Sequence, residues 1–198
     1  MPRESATSTL ELTERALHQF WTHGFHATSM DALVKSTGVS RHGIYAGFGG
    51  KKQLFEACFD RYQTLIVTPA FGRVEASDAD LSSIAAYYES QIALAETIGL
   101  PGPGCFVANS STEIAPHDAS AKAKVAEHNA RLRRGFTNAL ANERRNCGAL
   151  SPLDLGALAD VFVVFTNGLW SMSRTTTDAN DLRVAVKTFL SSMEGTLR

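Results

Sequence analysis

The sequence predicts an all-α protein, and three observations predict it. Apolar residues recur at three- and four-residue spacing along most of the chain, the runs break at glycine, proline or helix-capping residues, and no segment sustains the alternation of a strand. With 198 residues, 44% hydrophobic and 20% charged, the chain has room for one domain, or for a small domain joined to a larger one, with a core of its own.

The elements follow in order. Residues 1–9 are polar and rich in Ser, Thr and Pro, and read as a disordered lead. Leu12, Ala16, Leu17, Phe20 and Trp21 then share one face of a helix that stops near Gly24. Thr28-Ser29-Met30-Asp31, a hydroxyl followed three residues later by an acid, predicts a capping box opening a second helix, with Met30, Leu33 and Val34 inward and Gly38 as its stop. Only Val39 separates Gly38 from Ser40, a second helix-starting residue, and Ile44, Tyr45 and Phe48 continue at helical spacing until Gly47, Gly49 and Gly50. A longer amphipathic helix is expected from Lys51, burying Leu54, Phe55, Cys58, Phe59, Tyr62, Leu65 and Ile66 and closing at Pro69 and Gly72.

Beyond it the pattern predicts a helix from about Asp80 to Ile98, a break at Leu100-Pro101-Gly102-Pro103-Gly104, and a short helix from Cys105 to Ala115 ended by Pro116. A long polar helix from His117 to Asn146 follows, then a Gly148 and Pro152 junction, and two last helices at Leu153–Thr175 and Ala179–Leu197.

Composition excludes several classes. No apolar run reaches the eighteen or so residues that span a bilayer, and MPRESATSTLE lacks the apolar stretch of a secretory signal, so a cytoplasmic protein without a membrane partner is expected. Cys58, Cys105 and Cys147 are odd in number and widely spaced, which argues against disulfides and structural zinc. His18, His23, His26, His42, His117 and His128 show no metal spacing, and the chain has no phosphate-binding Gly loop, no GxSxG and no HExxH. The expectation is therefore neither an enzyme nor a metal or cofactor protein. A net charge of −1 excludes coating of nucleic acid by bulk electrostatics, so any DNA contact must come from local geometry.

Two short helices meeting at a Gly turn within about twenty residues form a helix-turn-helix, whose second helix enters the major groove. The run GFHATSMDALVKSTGVSRHGIYAGFGGKKQLF, Gly24 to Phe55, closely resembles the DNA-binding head of the TetR family. Gly24-Phe25, Thr28-Ser29, Thr37-Gly38-Val39-Ser40, Ile44-Tyr45, Phe48, Lys51 and Leu54-Phe55 all match its pattern. Ala46-Gly47 depart from it, where many members carry an aromatic or histidine pair.

The resemblance implies a DNA-binding head over 10–50 and a helical ligand-binding and dimerisation domain over 51–198. It also implies which face meets the duplex. Thr28 and Ser29 sit at a helix N-terminus suited to a phosphate, or serve only as caps. Ser40, Arg41 and His42 open the recognition helix. Arg41 suits bidentate reading of guanine, or contacts phosphate alone. Gly43 permits close approach to the groove, and Tyr45 and Lys51 fall where the family contacts the backbone.

For the second domain the resemblance implies a homodimer, whose last two helices pair with their copies through Leu158, Val161, Phe162, Phe165 and Leu169 and through Val184, Val186, Phe189, Leu190 and Met193. A monomer core is the alternative use of those residues. Tyr87, Tyr88, Phe106, Asn109, Phe136, Phe165, Asn167 and Trp170 are candidates for a pocket taking a largely apolar inducer. Gly104-Cys105-Phe106-Val107-Ala108-Asn109 resembles a stretch in one TetR subgroup, some of whose members sense oxidants or electrophiles with that cysteine. A helix N-terminus would lower the Cys105 pKa, whereas the bland role is packing. The family's majority are repressors released from a palindromic double-stranded operator by a small molecule. Activation, and a sensing module that has lost DNA binding, are the other readings.

Overall fold

In the computed structural model, which describes residues 8–148 and 154–197, the described chain is helical and contains no strand. The head comprises α1 (Thr9–His23), α2 (Met30–Thr37) and α3 (Arg41–Phe48), followed by α4 (Lys51–Tyr62), a π-helical turn (Gln63–Val67) and α5 (Thr68–Phe71). The second half holds α6 (Leu81–Ile98), α7 (Phe106–Glu113), α8 (Ala119–Asn146), α9 (Leu155–Met172) and α10 (Ala179–Leu197).

Local chemistry sets the head's boundaries. Ser8 caps α1 by accepting from the Glu11 N–H, so α1 opens within the expected lead, whose residues 1–7 lie outside the described residues. Ser29 and Ser40 cap α2 and α3 by accepting from Ala32 and Gly43. The capping box expected at Thr28 and Asp31 does not form, because Ser29 is the cap and Asp31 turns to Arg41. Gly38 adopts φ 74°, a left-handed turn that a side chain would strain, and this lets α3 start three residues later. Leu12, Ala16, Leu17, Phe20, Leu33 and Ile44 fill the space between α1, α2 and α3, and Leu54, Phe55, Cys58 and Phe59 of α4 close it. The head's core thus includes residues on both sides of position 50.

The long helix expected from Lys51 to Gly72 is broken by the π turn. Pro69 offers no N–H, and its ring crowds the carbonyl one turn earlier, so the helix widens ahead of it. The widening rotates the helix face. Val67 and Phe71 become buried, and Leu65, expected inside, is exposed.

In the second half, Asp80, Asp118 and Asp154 cap α6, α8 and α9 with their carboxylates. The start of the helix expected at Leu153, and Pro152 before it, lie outside the described residues. α9 ends at Met172, three residues short of expectation, and Thr175 lies in the turn that follows.

Although no segment was expected to reach bilayer length, the 18 residues of α9 are by length and composition apolar enough to cross a membrane. The helix is used otherwise. Leu158, Phe162 and Leu169 pack into the core, and Asp160 pairs with Arg133 of α8 at 2.7 Å. The apolar faces assigned to dimerisation are correspondingly split, because Val186 of α10 is also buried within the monomer and Phe165 stacks on Phe189 at 3.9 Å between centroids. Val161, Val164, Met172 and Val184 remain exposed.

Candidate nucleic-acid interface and sensing cavity

The outer face of α3 carries Arg41, His42 and Tyr45, all exposed, while Ile44 between them anchors the helix in the core. The Arg41 guanidinium donates to Asp31 Oδ1 at 2.8 Å, so an acid of α2 holds the reading candidate in the free protein. Ser29 and Ser40 are exposed. Each uses a lone pair as a cap and keeps its hydroxyl proton for a phosphate oxygen.

Thr28 does not join them. It is fully buried and its hydroxyl donates to the Gly24 carbonyl at 2.6 Å, which removes it from any phosphate. Gly43 has an internal requirement too, since a Cβ there would stand 2.7 Å from the stiff Val39 Cγ1. Lys51 Nζ sits 4.3 Å from the centre of the Phe25 ring, and burial pushes its ammonium pKa down against the opposing pull of Glu113. Gly47 faces open space.

The head is bonded to the second half through α7. Glu113, its last residue, accepts from the Phe25 N–H at 3.0 Å and the His26 N–H at 2.8 Å, gripping the turn between α1 and α2. At the other end of α7 the Trp21 indole N–H donates to the Gly104 carbonyl at 3.0 Å. Phe106 lies between these bonds and packs its ring on Phe55, Phe59 and Tyr62, which ties the head's core to the domain beyond. Lys52 adds an ion pair with Asp118 at the start of α8, at 2.6 Å.

Around the N-terminal end of α7 opens a cavity of about 590 Å³, in the range of small-molecule sites. Of the sequence-predicted pocket residues, Tyr87, Asn167 and Trp170 line it. The other five do not. Tyr88 is buried and bonded to Thr166 at 2.8 Å, Phe136 packs between Phe71 and Phe162, and Phe165 stacks on Phe189. Phe106 belongs to the seam with the head, and Asn109 donates to the Pro103 carbonyl at 2.8 Å, fixing the loop before α7. Sequence reasoning missed Trp21, Tyr62, Phe71, His128 and Arg174 as cavity residues. Helical spacing marks Trp21 and Tyr62 only as apolar and inward and leaves Phe71 unassigned, and no local pattern brings α1, α4, α5 and α9 together.

Cys105 lines the cavity and is buried, with its sulfur accepting from the Tyr62 hydroxyl at 3.4 Å. The expected lowering of its pKa is overturned. Burial pushes the thiol up and outweighs the hydrogen bonds from Tyr62, Ala108 and Val107, which act the other way. Burial, reinforced by Arg131, pushes the His128 imidazole down to about 4.

An all-helical chain with an exposed recognition helix and a cavity bonded to its DNA-facing head has the design of a helix-turn-helix regulator with a sensing domain. The family model "Bacterial regulatory proteins, tetR family" matches residues 12–58, and the model "Tetracyclin repressor-like, C-terminal domain" matches residues 81–189. The chain belongs to the TetR family of transcriptional regulators.

It is 33% identical over 103 residues to the HTH-type transcriptional repressor ComR of Escherichia coli K12, a match covering 52% of this chain and 49% of ComR, about half of that relative's length. It is 24% identical over 197 residues, 98% of this chain and all of the relative, to the HTH-type transcriptional regulator YezE of Bacillus subtilis 168. Its fold is shared with a cysteine-substituted form of the TetR-family regulator CifR complexed with 26-bp double-strand operator DNA, at a TM-score of 0.81 and 17% identity over 96% of this chain and 98% of that one.

Proposed function

We propose that this protein is a homodimeric repressor in the cytoplasm that binds a palindromic double-stranded operator and is released when a small, largely apolar molecule occupies the cavity. The observation that carries this is α7 itself. One end of a single short helix borders the cavity through Gly104 and Cys105, and the other holds the head's α1–α2 turn through Glu113. A ligand that shifts α7 by a fraction of an ångström shifts the head with it, because a packed aromatic seam transmits displacement rather than absorbing it.

On the duplex, Arg41 and His42 are assigned to base edges, and Ser29, Ser40, Tyr45 and Lys51 to phosphates, with Gly43 allowing the approach. Val161, Val164 and Met172 of α9, together with Val184 of α10, supply the apolar stripe for a second copy, and the exposed Gly168 within that stripe lets backbones come close. Head and sensing domain are divided near residue 50, with α4 belonging to both cores. The test is selection of bound fragments from genomic DNA with the native protein and with Arg41→Ala. A two-fold symmetric motif enriched only by the native protein is the expected result, and no enriched motif overturns the reading.

The thiol-sensing alternative retains one support, that the Cys105 sulfur borders the cavity, but burial keeps it protonated and therefore a poor nucleophile. Cys105→Ser is accordingly expected to keep its ligand response, measured as ligand-dependent release from the operator. Loss of that response would reinstate the thiol.

A further inference from the structure

The charge around the cavity restricts what it holds. Among the described residues that line it there is no Asp and no Glu, so a cationic ligand would enter without a counter-charge, at a cost of several kcal/mol. Several of the polar groups inside are already committed. Tyr62 donates to Cys105, the Trp170 indole N–H donates to the Tyr87 hydroxyl, and Asn167 donates to Asn129 and to the Val163 carbonyl. His128 is held neutral by burial at ordinary pH.

One full cation remains on the wall, the guanidinium of Arg174, just beyond the end of α9. No ion pair involves it among the described residues, whereas Arg133 pairs with Asp160 and Arg183 takes both Glu89 and Glu96 of α6. The Arg174 side chain is exposed, and its stem runs close beside Gly104. A Cβ on Gly104 would stand 2.8 Å from Arg174 Cγ and 2.7 Å from the Trp170 carbonyl, so only glycine, here at φ 71°, lets the arginine stem cross beside the start of α7.

We propose that the cavity takes an apolar monocarboxylate, its chain or ring against the Trp21, Phe71 and Trp170 side chains and its carboxylate paired with Arg174. This rests on the reading of the cavity as the inducer site and names the class of inducer. A planar guanidinium binds a carboxylate through two parallel hydrogen bonds, and the pairing places the ligand's charged end at Gly104, the residue through which Trp21 of the head is held. The inducer's recognition group and the head's attachment point thereby share one residue.

The chain has two tryptophans, Trp21 and Trp170, and both line the cavity, so quenching of intrinsic fluorescence in the purified full-length protein reports occupancy directly. The probes are hexanoate, octanoate, decanoate and 4-phenylbutyrate, each with its amide and its amine. The carboxylates are expected to bind about tenfold or more tighter than the matching amides, the amines weakest of all, and Arg174→Gln to erase the carboxylate advantage. An unchanged thermal unfolding midpoint shows that the variant is folded. Amides or amines that bind as tightly as carboxylates, or an advantage that survives Arg174→Gln, overturn the proposal and leave the cavity reading standing. Absence of quenching by every probe overturns both.

Discussion

The head and the sensing half are built from the same element, the amphipathic helix, yet they store function differently. The head carries its proposed base-reading residues on one exposed face of α3, a segment of eight residues whose caps, stop and inward anchor are all local. The cavity draws its wall from α1, α4 through α6, α8 and α9, with no single stretch supplying most of it. A surface carried by one helix is robust to changes elsewhere, whereas a cavity assembled from many helices depends on how each is packed. That difference suits the two tasks. On the proposed function, the recognition face needs constancy, and a ligand site that moves the head needs parts that meet only when the fold is complete.

The comparison can be broken most directly at α3. Arg41→Ala is expected to remove about 1–3 kcal/mol per half-site and so weaken operator binding by at least tenfold, read by fluorescence anisotropy of labelled duplex, with ligand quenching of the tryptophans unaffected. Loss of both together would mean that the halves are not separable.

The next effect belongs to the sensing half. The unfolded chain takes up the His128 proton near 6.5 and the folded chain only near about 4. Between these values the unfolded state binds more protons, so stability is complete above the upper value and falls as pH falls towards the lower, by on the order of 3 kcal/mol. Urea unfolding across that window should show the decline, and His128→Gln should flatten it while leaving α3 and its operator contacts alone. A decline of equal size in the variant would assign it to other groups.

The seam comes third. Glu113→Ala removes the acceptor for two head N–H groups and is expected to cut the ligand-induced change in operator affinity by about 1 kcal/mol, with ligand affinity itself retained. An undiminished response would place the coupling elsewhere, with the Trp21 bond to Gly104 the next to examine. The smallest effect is at Asp31. Its pair with Arg41 is exposed on both sides and worth at most about 1 kcal/mol, so Asp31→Asn should tighten operator binding by a few-fold. A weaker complex would mean that Asp31 orients Arg41 for the duplex and does not compete with it.

What was legible in the sequence divides along the same line. Helix positions came from periodicity and capping chemistry, which act within one turn, so Ser29, Gly38 and Ser40 were readable as boundaries and Arg41 and His42 as an outward face, while the role of Tyr45 came from the family resemblance. Errors arose where a side chain took a partner or a face other than the one its position in the pattern suggested. Thr28 looked like a cap and is buried against Gly24, Asp31 looked like half of a capping box and pairs with Arg41, and Leu65 was turned outward by a π turn that Pro69 provokes.

The sequence by itself determined the all-α class and the helix-turn-helix, because each rests on interactions between residues a few positions apart, and the run from Gly24 to Phe55 carried the resemblance to the family. The tertiary structure decided which aromatic residues face the cavity and which fill the core. It also decided that Cys105 is a buried thiol and that Glu113 reaches the head. Those outcomes depend on contacts spanning forty to ninety residues of chain, such as Tyr62 with Cys105 and Phe25 with Glu113, and no local pattern encodes them.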